Sequence, residues 1–291
     1  MKLKIDIKDF KVKAGASIKL KDFPTDCPHY YDSKEHYSEI LGDHVKRLDH
    51  YQSLLYSHNR YALLLIFQGM DTSGKDGAIK HVLSGINPAG CQVYSFKQPS
   101  SEDLDHDFFW RTTRALPERG RIGIFNRSYY EEVLIVRVHP EILDNESLPE
   151  DELDLNKIWK HRFESIRDYE KHLVRNGTRP LKFFLHISKK EQANRLLARI
   201  DDPDKNWKVN MGDLHERKYW KEYQHAYQEA ISETSTDDSP WYIIPADDKK
   251  NARIIISHIL LNYLKSLKMN FPRVTPEHLK ELEQMRKMLE E

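Results

Sequence analysis

The chain has 291 residues, 39% of them hydrophobic, which is enough to bury the core of one large α/β domain or of two small ones. Basic and acidic residues number 46 each, and this zero formal net charge argues against a general nucleic-acid binder. No apolar run approaches the roughly 18 residues of a membrane span, and residues 1–6 contain no apolar signal-peptide core. Cys27 and Cys91 are too few for a disulfide framework or a zinc site. We therefore expect a cytoplasmic protein without a membrane or nucleic-acid partner.

The chain begins with an irregular segment that leads into a helix and a strand. Residues 1–33 lack clear periodicity and are expected to form an arm packed on the domain. Apolar residues near 3.6-residue spacing predict a helix over 33–58. The apolar run 61–67 predicts a strand, and a second helix is expected to end near Gly85.

The rest of the chain alternates between strands and helices. Further strands are predicted at 93–96, 122–125, 181–187 and 241–244. Helical stretches are predicted around 104–115, 129–137, 155–175, 189–200, 213–232 and 248–267. This alternation predicts an α/β fold with a mainly parallel sheet covered on both faces, and we treat residues 1–291 as one domain. The segment 276–291 predicts a charged C-terminal helix, which either packs locally through its apolar stripe or contacts another subunit. The stripe consists of Leu279, Leu282 and Met285.

The segment after the first strand matches the phosphate-loop pattern G-x-x-x-x-G-K. It is Gly69-Met70-Asp71-Thr72-Ser73-Gly74-Lys75-Asp76. In such a loop backbone N–H groups surround phosphate oxygens, and we expect Lys75 to add a positive charge there. The next residue is normally Ser or Thr, which binds Mg²⁺. Here it is Asp76, interpreted as a charge favoured at a helix N-terminus or as a metal contact. Asp71 is interpreted as a Mg²⁺ ligand or as a turn-forming residue.

A second acidic motif is expected after the strand at 122–125. In phosphate-loop enzymes an acid at the end of a neighbouring strand supports Mg²⁺. That position holds Asn126, and Glu131, five residues later, could supply the missing charge. Arg127 is expected to project into the crevice that the phosphate loop and this strand end would form. The alternative is that Arg127 forms a surface ion pair.

Residues 191–217 carry a third cluster of charges. Arg195 and Arg199 are four positions apart and share one face of a predicted helix. Such a run is usually a solvated surface, but Pro203 and Trp207 interrupt it. A phosphate loop also needs a lid whose arginines neutralise transition-state charge and exclude water. We therefore predict a lid at about 191–217.

Four segments together resemble the polyphosphate kinase 2 family. They are Gly69 to Gly77, Phe125-Asn126-Arg127-Ser128-Tyr129-Tyr130-Glu131, Lys205-Asn206-Trp207-Lys208, and Thr234-Ser235-Thr236 followed by Pro240-Trp241. The similarity runs in this order from about residue 30 to 270. It implies a three-layer α/β/α phosphate-loop kinase fold with a helical lid. It also implies Mg²⁺-dependent transfer of phosphoryl groups between inorganic polyphosphate and nucleotides.

The resemblance also implies roles for individual residues. The catalytic residues would be Asp71, Lys75, Arg127, Arg195 and Arg199, and the metal ligands would be Asp71 and Glu131. The substrate-binding residues would be Gly69, Met70, Thr72, Ser73, Gly74, Lys75, Asp76, Gly77, Asn126, Arg127, Glu131, Lys205 and Lys208. Asn126 with Glu131 resembles the subgroup that phosphorylates both AMP and ADP, the latter to ATP, and guanine nucleotides are further candidates. A homo-oligomer, either a dimer or a tetramer, is also implied.

The expected chemistry needs no general base, because the acceptor phosphate is already ionised at neutral pH. In keeping with this, the sequence contains no evident nucleophile–base pair. Two other functions match parts of the pattern. An ATP-dependent nucleoside monophosphate kinase would share the architecture, but Asp76 and the additional acid Asp71 argue against it. A non-catalytic sensor of polyphosphate or nucleotide is favoured only by Asn126.

Overall fold

Five strands form a single sheet in the computed structural model, which describes residues 5–290. They are β1 (Ala62–Gln68), β2 (Cys91–Ser95), β3 (Ile122–Asn126), β4 (Thr178–His186) and β5 (Trp241–Pro245). Their order in the sheet is β2-β3-β1-β4-β5, and each neighbouring pair is parallel. All five predicted strands are therefore present, with small shifts at their ends.

The central strand is β1, whose side chains are buried at all seven positions. This matches the continuous apolar run of a parallel strand covered on both faces. Phe67 is paired with Asn126 of β3 and with Phe183 of β4. The carboxyl ends of three neighbouring strands thus meet at one edge of the sheet, where ligands bind in open α/β folds.

Eleven α-helices lie between Ile5 and Glu290. They are α1 (Lys34–His58), α2 (Lys75–Val82), α3 (Ser101–Leu104), α4 (Trp110–Thr113), α5 (Ile135–Val138), α6 (Ile158–Arg175), α7 (Lys189–Ile200), α8 (Met211–Glu216), α9 (Trp220–Thr234), α10 (Lys249–Ser266) and α11 (Pro276–Glu290). Within the same range of residues, no helix combines the length and the apolar composition needed to cross a membrane.

Helices cover both faces of the sheet. Alternate side chains of β1 belong to two different hydrophobic clusters, as the two-residue repeat of a strand requires. Leu63 and Leu65 pack with α1, α2 and α10, whereas Leu64 and Ile66 pack with α6 and α9. This is a three-layer α/β/α arrangement, so the predicted fold class is confirmed.

Three predicted helices are broken. The segments 104–115, 129–137 and 213–232 form α3 and α4, then a 3₁₀ helix (Tyr129–Val133) and α5, then α8, a 3₁₀ helix (Arg217–Tyr219) and α9. At the first break a side-chain bond competes with the helix, because the Asp107 carboxylate accepts from the Phe109 N–H. In the second segment Ser128 Oγ accepts from the Tyr130 N–H and caps the start of the 3₁₀ helix.

The N-terminal arm packs along β5. The Val12 N–H donates to Trp241 O at 2.9 Å, and the Ile243 N–H donates to Phe10 O at 2.8 Å. The side chains of Phe10 and Val12 are buried. The first four residues of the predicted arm lie outside the described residues.

The C-terminal helix α11 does not pack on the domain. Every residue from Pro276 to Glu290 is exposed, including the predicted apolar stripe. The expectation that this helix packs locally is therefore wrong for the part of the chain that the structure describes. Glu291, predicted as its last residue, lies outside that part.

Candidate active site

The phosphate loop joins β1 to α2 and depends on two glycines with positive φ. Gly69 has a φ of +154° and Gly74 a φ of +103°. A Cβ atom on Gly69 would lie 2.7 Å from Ser73 Oγ and 2.9 Å from Leu185 O, so a side chain there would displace the backbone. The loop therefore lies tightly against β4 and directs the first N–H groups of α2 toward the crevice.

Lys75 begins α2, and its side chain turns back into the loop. Its Nζ donates to Gly69 O at 2.7 Å and to Met70 O at 3.4 Å. Burial lowers the pKa of Lys75, and the carboxylate of Asp71 opposes this effect. An ammonium group placed here can exchange loop carbonyls for phosphate oxygens. Its contact with phosphate stays a prediction.

Arg127 follows β3 and faces the phosphate loop. Its N–H donates to Phe67 O at 3.1 Å, and its φ of +65° turns the chain away from the sheet. Its Nη2 lies 3.1 Å from Asp71 Oδ1, and both side chains are 40% exposed. Glu131 raises the pKa of Arg127, burial opposes the rise, and Asp71 adds to it. The ion pair considered from the sequence does exist, and it lies inside the crevice.

Asn126 has a partner that the sequence did not reveal. Its Nδ2 donates to Asp76 Oδ1 at 2.6 Å. In an ordinary phosphate-loop enzyme a hydroxyl stands on the helix and a carboxylate at the strand end, and both serve Mg²⁺. Here the carboxylate stands on the helix and an amide at the strand end. The crevice therefore still contains a carboxylate, that of Asp76, and Asn126 donates a hydrogen bond to it.

Glu131 lies in the 3₁₀ helix that follows Arg127. Burial raises the pKa of Glu131, and the nearby cations Arg127 and Lys75 offset part of this rise. The carboxyl group is therefore buried beside two positive charges.

Arg195 holds the phosphate loop from behind. Its N–H groups donate to Glu191 Oε1 and to the backbone oxygens of Thr72, Ser73, Ala246 and Asp247, at 2.5–3.0 Å. The residue is only 5% exposed, and a guanidinium has five such donors. All five are taken by groups of the protein, which favours positioning of the loop for Arg195, whereas its predicted role as a catalytic lid arginine stays a prediction. Arg199, one turn further along α7, lines the crevice.

Gln192 is a site residue that sequence reasoning missed. Its Nε2 donates to Asp71 O at 3.2 Å, which fixes the orientation of the amide. Its Oε1 is buried and has no hydrogen-bond partner among residues 5–290, and the same holds for Thr72 Oγ1 and Ser73 Oγ. Its position one turn before Arg195 on a predicted helix was the one signal that could have identified it.

Two cavities meet at the Asp71–Arg127 ion pair. The larger, about 740 Å³, is called the phosphate groove, and its cationic lining consists of Lys75, Lys97, Arg127, Arg195, Arg199, Lys205, Lys208, Lys249 and Arg253. The smaller, about 220 Å³, is called the side cavity, and its walls include Met70, Glu131, Leu134, Ile135, Tyr223 and Tyr227. Asp71, Arg127 and Asp213 line both. Every site residue expected from the sequence lines one cavity or the other.

A metal ion would meet scattered oxygen donors here instead of a complete protein cage. The described residues contain no group of three or more His, Cys, Asp or Glu side chains that could hold a metal. Asp71 and Glu131 both line the side cavity and offer carboxylate oxygens. Mg²⁺ commonly binds one or two carboxylates, several waters and the phosphates of a substrate. The residues present therefore fit a metal that arrives with its phosphate ligands.

Comparison with known proteins identifies the family. The sequence profile named "Polyphosphate kinase 2 (PPK2)" matches residues 31–272. The chain is 58% identical over 287 residues to the ADP-polyphosphate phosphotransferase of Rhodopseudomonas palustris, covering 99% of each chain. It is 41% identical to the AMP/ADP-polyphosphate phosphotransferase of Meiothermus ruber, covering 92% of this chain and 96% of that one. The crystal structure of polyphosphate kinase 2 from Arthrobacter aurescens TC1 superposes with a TM-score of 0.84 at 37% identity, covering 96% of this chain and 95% of that one. The chain therefore belongs to the polyphosphate kinase 2 family.

Proposed function

We propose that the chain transfers the terminal phosphoryl group of inorganic polyphosphate to ADP and to AMP, forming ATP and ADP. The names of its relatives in Rhodopseudomonas palustris and Meiothermus ruber support this activity. The phosphate groove is the observation that carries the proposal. Nine lysines and arginines line it together with three aspartates, around a lysine-bearing phosphate loop. Such an excess of cations in an open groove suits a long polyanion.

The two substrates occupy different cavities. Polyphosphate lies in the phosphate groove, and the nucleotide enters from the lid side through the side cavity. Leu134, Ile135, Tyr223 and Tyr227 give this cavity the apolar and aromatic walls of a small-molecule site. The two phosphate chains would then meet at Arg127, which lines both cavities.

The transfer proceeds in line and without a general base, because the attacking oxygen is an ionised phosphate oxygen. Lys75 and Arg127 offset the repulsion between two polyanions, and Arg199 closes over them from the lid. Arg195 keeps the loop carbonyls in place behind Lys75. Asp71 and Glu131 are the proposed ligands of Mg²⁺. When bound, Mg²⁺ neutralises negative charge that develops on the phosphates.

Lys205 and Lys208 extend the cationic lining beyond the loop. Both belong to the segment between α7 and α8, so we propose that residues 191–217 act as the lid and bind polyphosphate at its rim. We further propose that residues 1–291 form one domain, that the chain works as a homo-oligomer, and that it resides in the cytoplasm. The exposed helix α11 supports self-association.

The decisive assay combines the purified chain, Mg²⁺, long-chain polyphosphate and AMP, without ATP, and follows the nucleotides by chromatography. We expect ADP to appear first and ATP later, and chelation of the metal to stop both steps. Parallel reactions with GMP and GDP test guanine acceptors. If only added ADP reacts, the dual-acceptor part of the proposal fails. If ATP and not polyphosphate serves as the donor, the chain is an ordinary nucleotide kinase. Binding without turnover would identify a sensor.

A further inference from the structure

Two tyrosines between Arg127 and Glu131 have no part in the proposed transfer. Tyr129 and Tyr130 are buried, and both hydroxyl groups donate to Glu170 Oε1, at 2.9 Å and 2.8 Å. Glu170 lies on α6. The segment that carries Arg127 and Glu131 is thus tied through its side chains to one carboxylate oxygen.

Lys182 of β4 balances the charge of Glu170. Its Nζ lies 2.5 Å from Glu170 Oε2 and also donates to Thr234 O at 2.8 Å and to Tyr130 Oη at 3.1 Å. The Lys182 and Glu170 side chains are 0% and 1% exposed. We call Tyr129, Tyr130, Glu170 and Lys182 the tyrosine anchor.

Stability alone does not account for the tyrosine anchor. Removing two charges from water costs about as much as their attraction returns, and apolar replacements of a buried ion pair are often at least as stable. Lys182 stands between Leu181 and Phe183 in an otherwise apolar, buried part of β4, where a hydrophobic side chain could pack. Fully satisfied buried polar networks, by contrast, rigidify one geometry.

The segment that the tyrosine anchor supports begins with a strained turn at Arg127. Arg127 has the left-handed φ of +65°, which costs a non-glycine residue about 1 kcal/mol. The 3₁₀ helix Tyr129–Val133 that follows has weaker hydrogen-bond geometry than an α-helix. Two hydrogen bonds hold the turn on the side of β1. The Arg127 N–H donates to Phe67 O, and Gln68 Nε2 donates to Ser128 Oγ at 3.3 Å. The tyrosine anchor supplies its support from α6 and β4.

We propose that Glu170 and Lys182 are positioning residues: through the hydroxyls of Tyr129 and Tyr130 they hold Arg127 and Glu131 facing the phosphate loop. The catalytic consequence rests on the proposed function, whereas the conformational consequence does not. Neither Glu170 nor Lys182 lines the phosphate groove or the side cavity, so any effect on turnover must pass through the turn.

The test uses variants that remove single groups. Tyr129→Phe and Tyr130→Phe delete one oxygen each, and the double variant Glu170→Gln with Lys182→Met replaces the ion pair by neutral side chains of similar size. Tyr242→Phe is the matched control, because Tyr242 is a buried tyrosine of β5 that packs in the cluster on the other face of the sheet. Hydrogen exchange of residues 126–134, read by mass spectrometry, reports the turn, and steady-state kinetics with polyphosphate and ADP report its effect.

We expect faster exchange over residues 126–134 in the anchor variants and not in the control. The anchor variants should lose roughly 10- to 100-fold in kcat, as for displaced catalytic groups, with KM for polyphosphate nearly unchanged. Unaltered exchange in a folded Tyr129→Phe or Tyr130→Phe variant overturns the proposal whatever its activity, and so does faster exchange with normal kcat. If the ion-pair variant fails to fold, the two tyrosine variants decide. If the wild type transfers no phosphoryl group, the proposed function fails, while the exchange comparison still decides whether the tyrosine anchor holds the turn.

Discussion

Lys75 and Arg127 are the cations from which the proposed reaction draws most of its charge stabilisation. Removing one such preorganised donor typically costs about 3 kcal/mol in the barrier, or roughly 100-fold in rate. Lys75→Ala and Arg127→Ala should therefore each lower kcat by about 100-fold or more in the polyphosphate assay. Lys80→Ala is the control, because Lys80 is an exposed lysine of α2 that lines neither cavity. A Lys75→Ala variant of near-normal rate would remove the phosphate loop from the mechanism.

Asp76 and Asn126 should behave as a coupled pair. In the wild type Asp76 Oδ1 accepts a hydrogen bond from Asn126 Nδ2 at 2.6 Å. Asn126→Asp replaces this donor by a second carboxylate, and the repulsion between the two carboxylates should reduce activity. Adding Asp76→Ser restores the usual hydroxyl and acid positions, and the double variant should regain roughly 10-fold in kcat/KM over Asn126→Asp alone. A double-mutant cycle measures this coupling. Strictly additive effects would mean that the hydrogen bond does not matter for turnover.

Arg195 should not tolerate lysine. An ammonium has three donors without the planar fork of a guanidinium, so it cannot hold Glu191 and four backbone carbonyls together. Arg195→Lys should therefore impair kcat nearly as much as Arg195→Met, by roughly 10- to 100-fold. Arg199→Lys is the comparison, because a groove-lining cation keeps its charge as lysine. If Arg195→Lys were as active as wild type, Arg195 would contribute through its positive charge and not through its hydrogen bonds to the loop.

For single residues, the sequence predicted which residues belong to the site more reliably than it predicted which residues contact each other. The glycine spacing of the phosphate loop follows from local backbone geometry, so Gly69, Gly74 and Lys75 could be placed without a structure. The contacts of Arg195 with Thr72 and of Gln192 with Asp71 join positions 123 and 121 residues apart. No local pattern encodes such pairs, which is why the sequence predicted Arg195 only as a catalytic arginine of the lid and why Gln192 was missed.

Among the elements, strands were predicted more reliably than helices. A buried parallel strand such as β1 is a continuous apolar run, and this signal survives in the sequence whatever its neighbours are. The segment at 104–115 has a helical pattern, yet the bond that the Asp107 carboxylate accepts from the Phe109 N–H interrupts it. The segment at 129–137 has such a pattern too, but it begins as a 3₁₀ helix capped by Ser128. The turn after Arg127 also depends on Glu170 and Lys182, which lie in distant elements.

The packing of α1 against α10 should make stability pH-dependent. His44 of α1 is buried with its Nδ1 2.8 Å from Ser257 Oγ. Burial, with a smaller effect of His258, lowers the pKa of His44 from 6.5 to about 4. Protonation therefore favours the unfolded chain, and the stabilisation present above pH 6.5 is lost as the pH falls toward 4.

Urea unfolding of the wild type and of His44→Gln at pH 7.5 and pH 5 measures this effect. The wild type should lose about 2 kcal/mol more than the variant over this range. Burial and the nearby Glu146 raise the pKa of Glu132 to about 7, which acts in the opposite direction. That contribution is common to both proteins and cancels in the difference. An equal pH dependence of the two proteins would contradict the assignment to His44.

The molecule as a whole has no net charge, yet it concentrates cations in one groove and leaves apolar side chains on one helix. Leu279, Leu282, Met285 and Leu289 of α11 are all exposed, and fully burying an exposed side chain of this kind contributes about 1.5–3 kcal/mol. We predict that the full chain has a molar mass in solution above the 34.5 kDa of one chain, measured by light scattering. Leu282→Glu with Met285→Glu should lower that mass toward one chain and leave the protein folded. An unchanged mass would place the subunit contact elsewhere.

The separation between the phosphate loop and its clamp bears on how the protein is made. Synthesis releases β1 and the loop first, whereas Arg195, which holds Thr72 and Ser73, follows 123 residues later. Contacts this distant in sequence form late and slow the search for the native state. A nascent chain that stops before α7 contains the complete G-x-x-x-x-G-K motif and still lacks the residues that shape it. We therefore expect the phosphate loop to reach its native shape only after the segment that carries Arg195 has been synthesised and has packed against it.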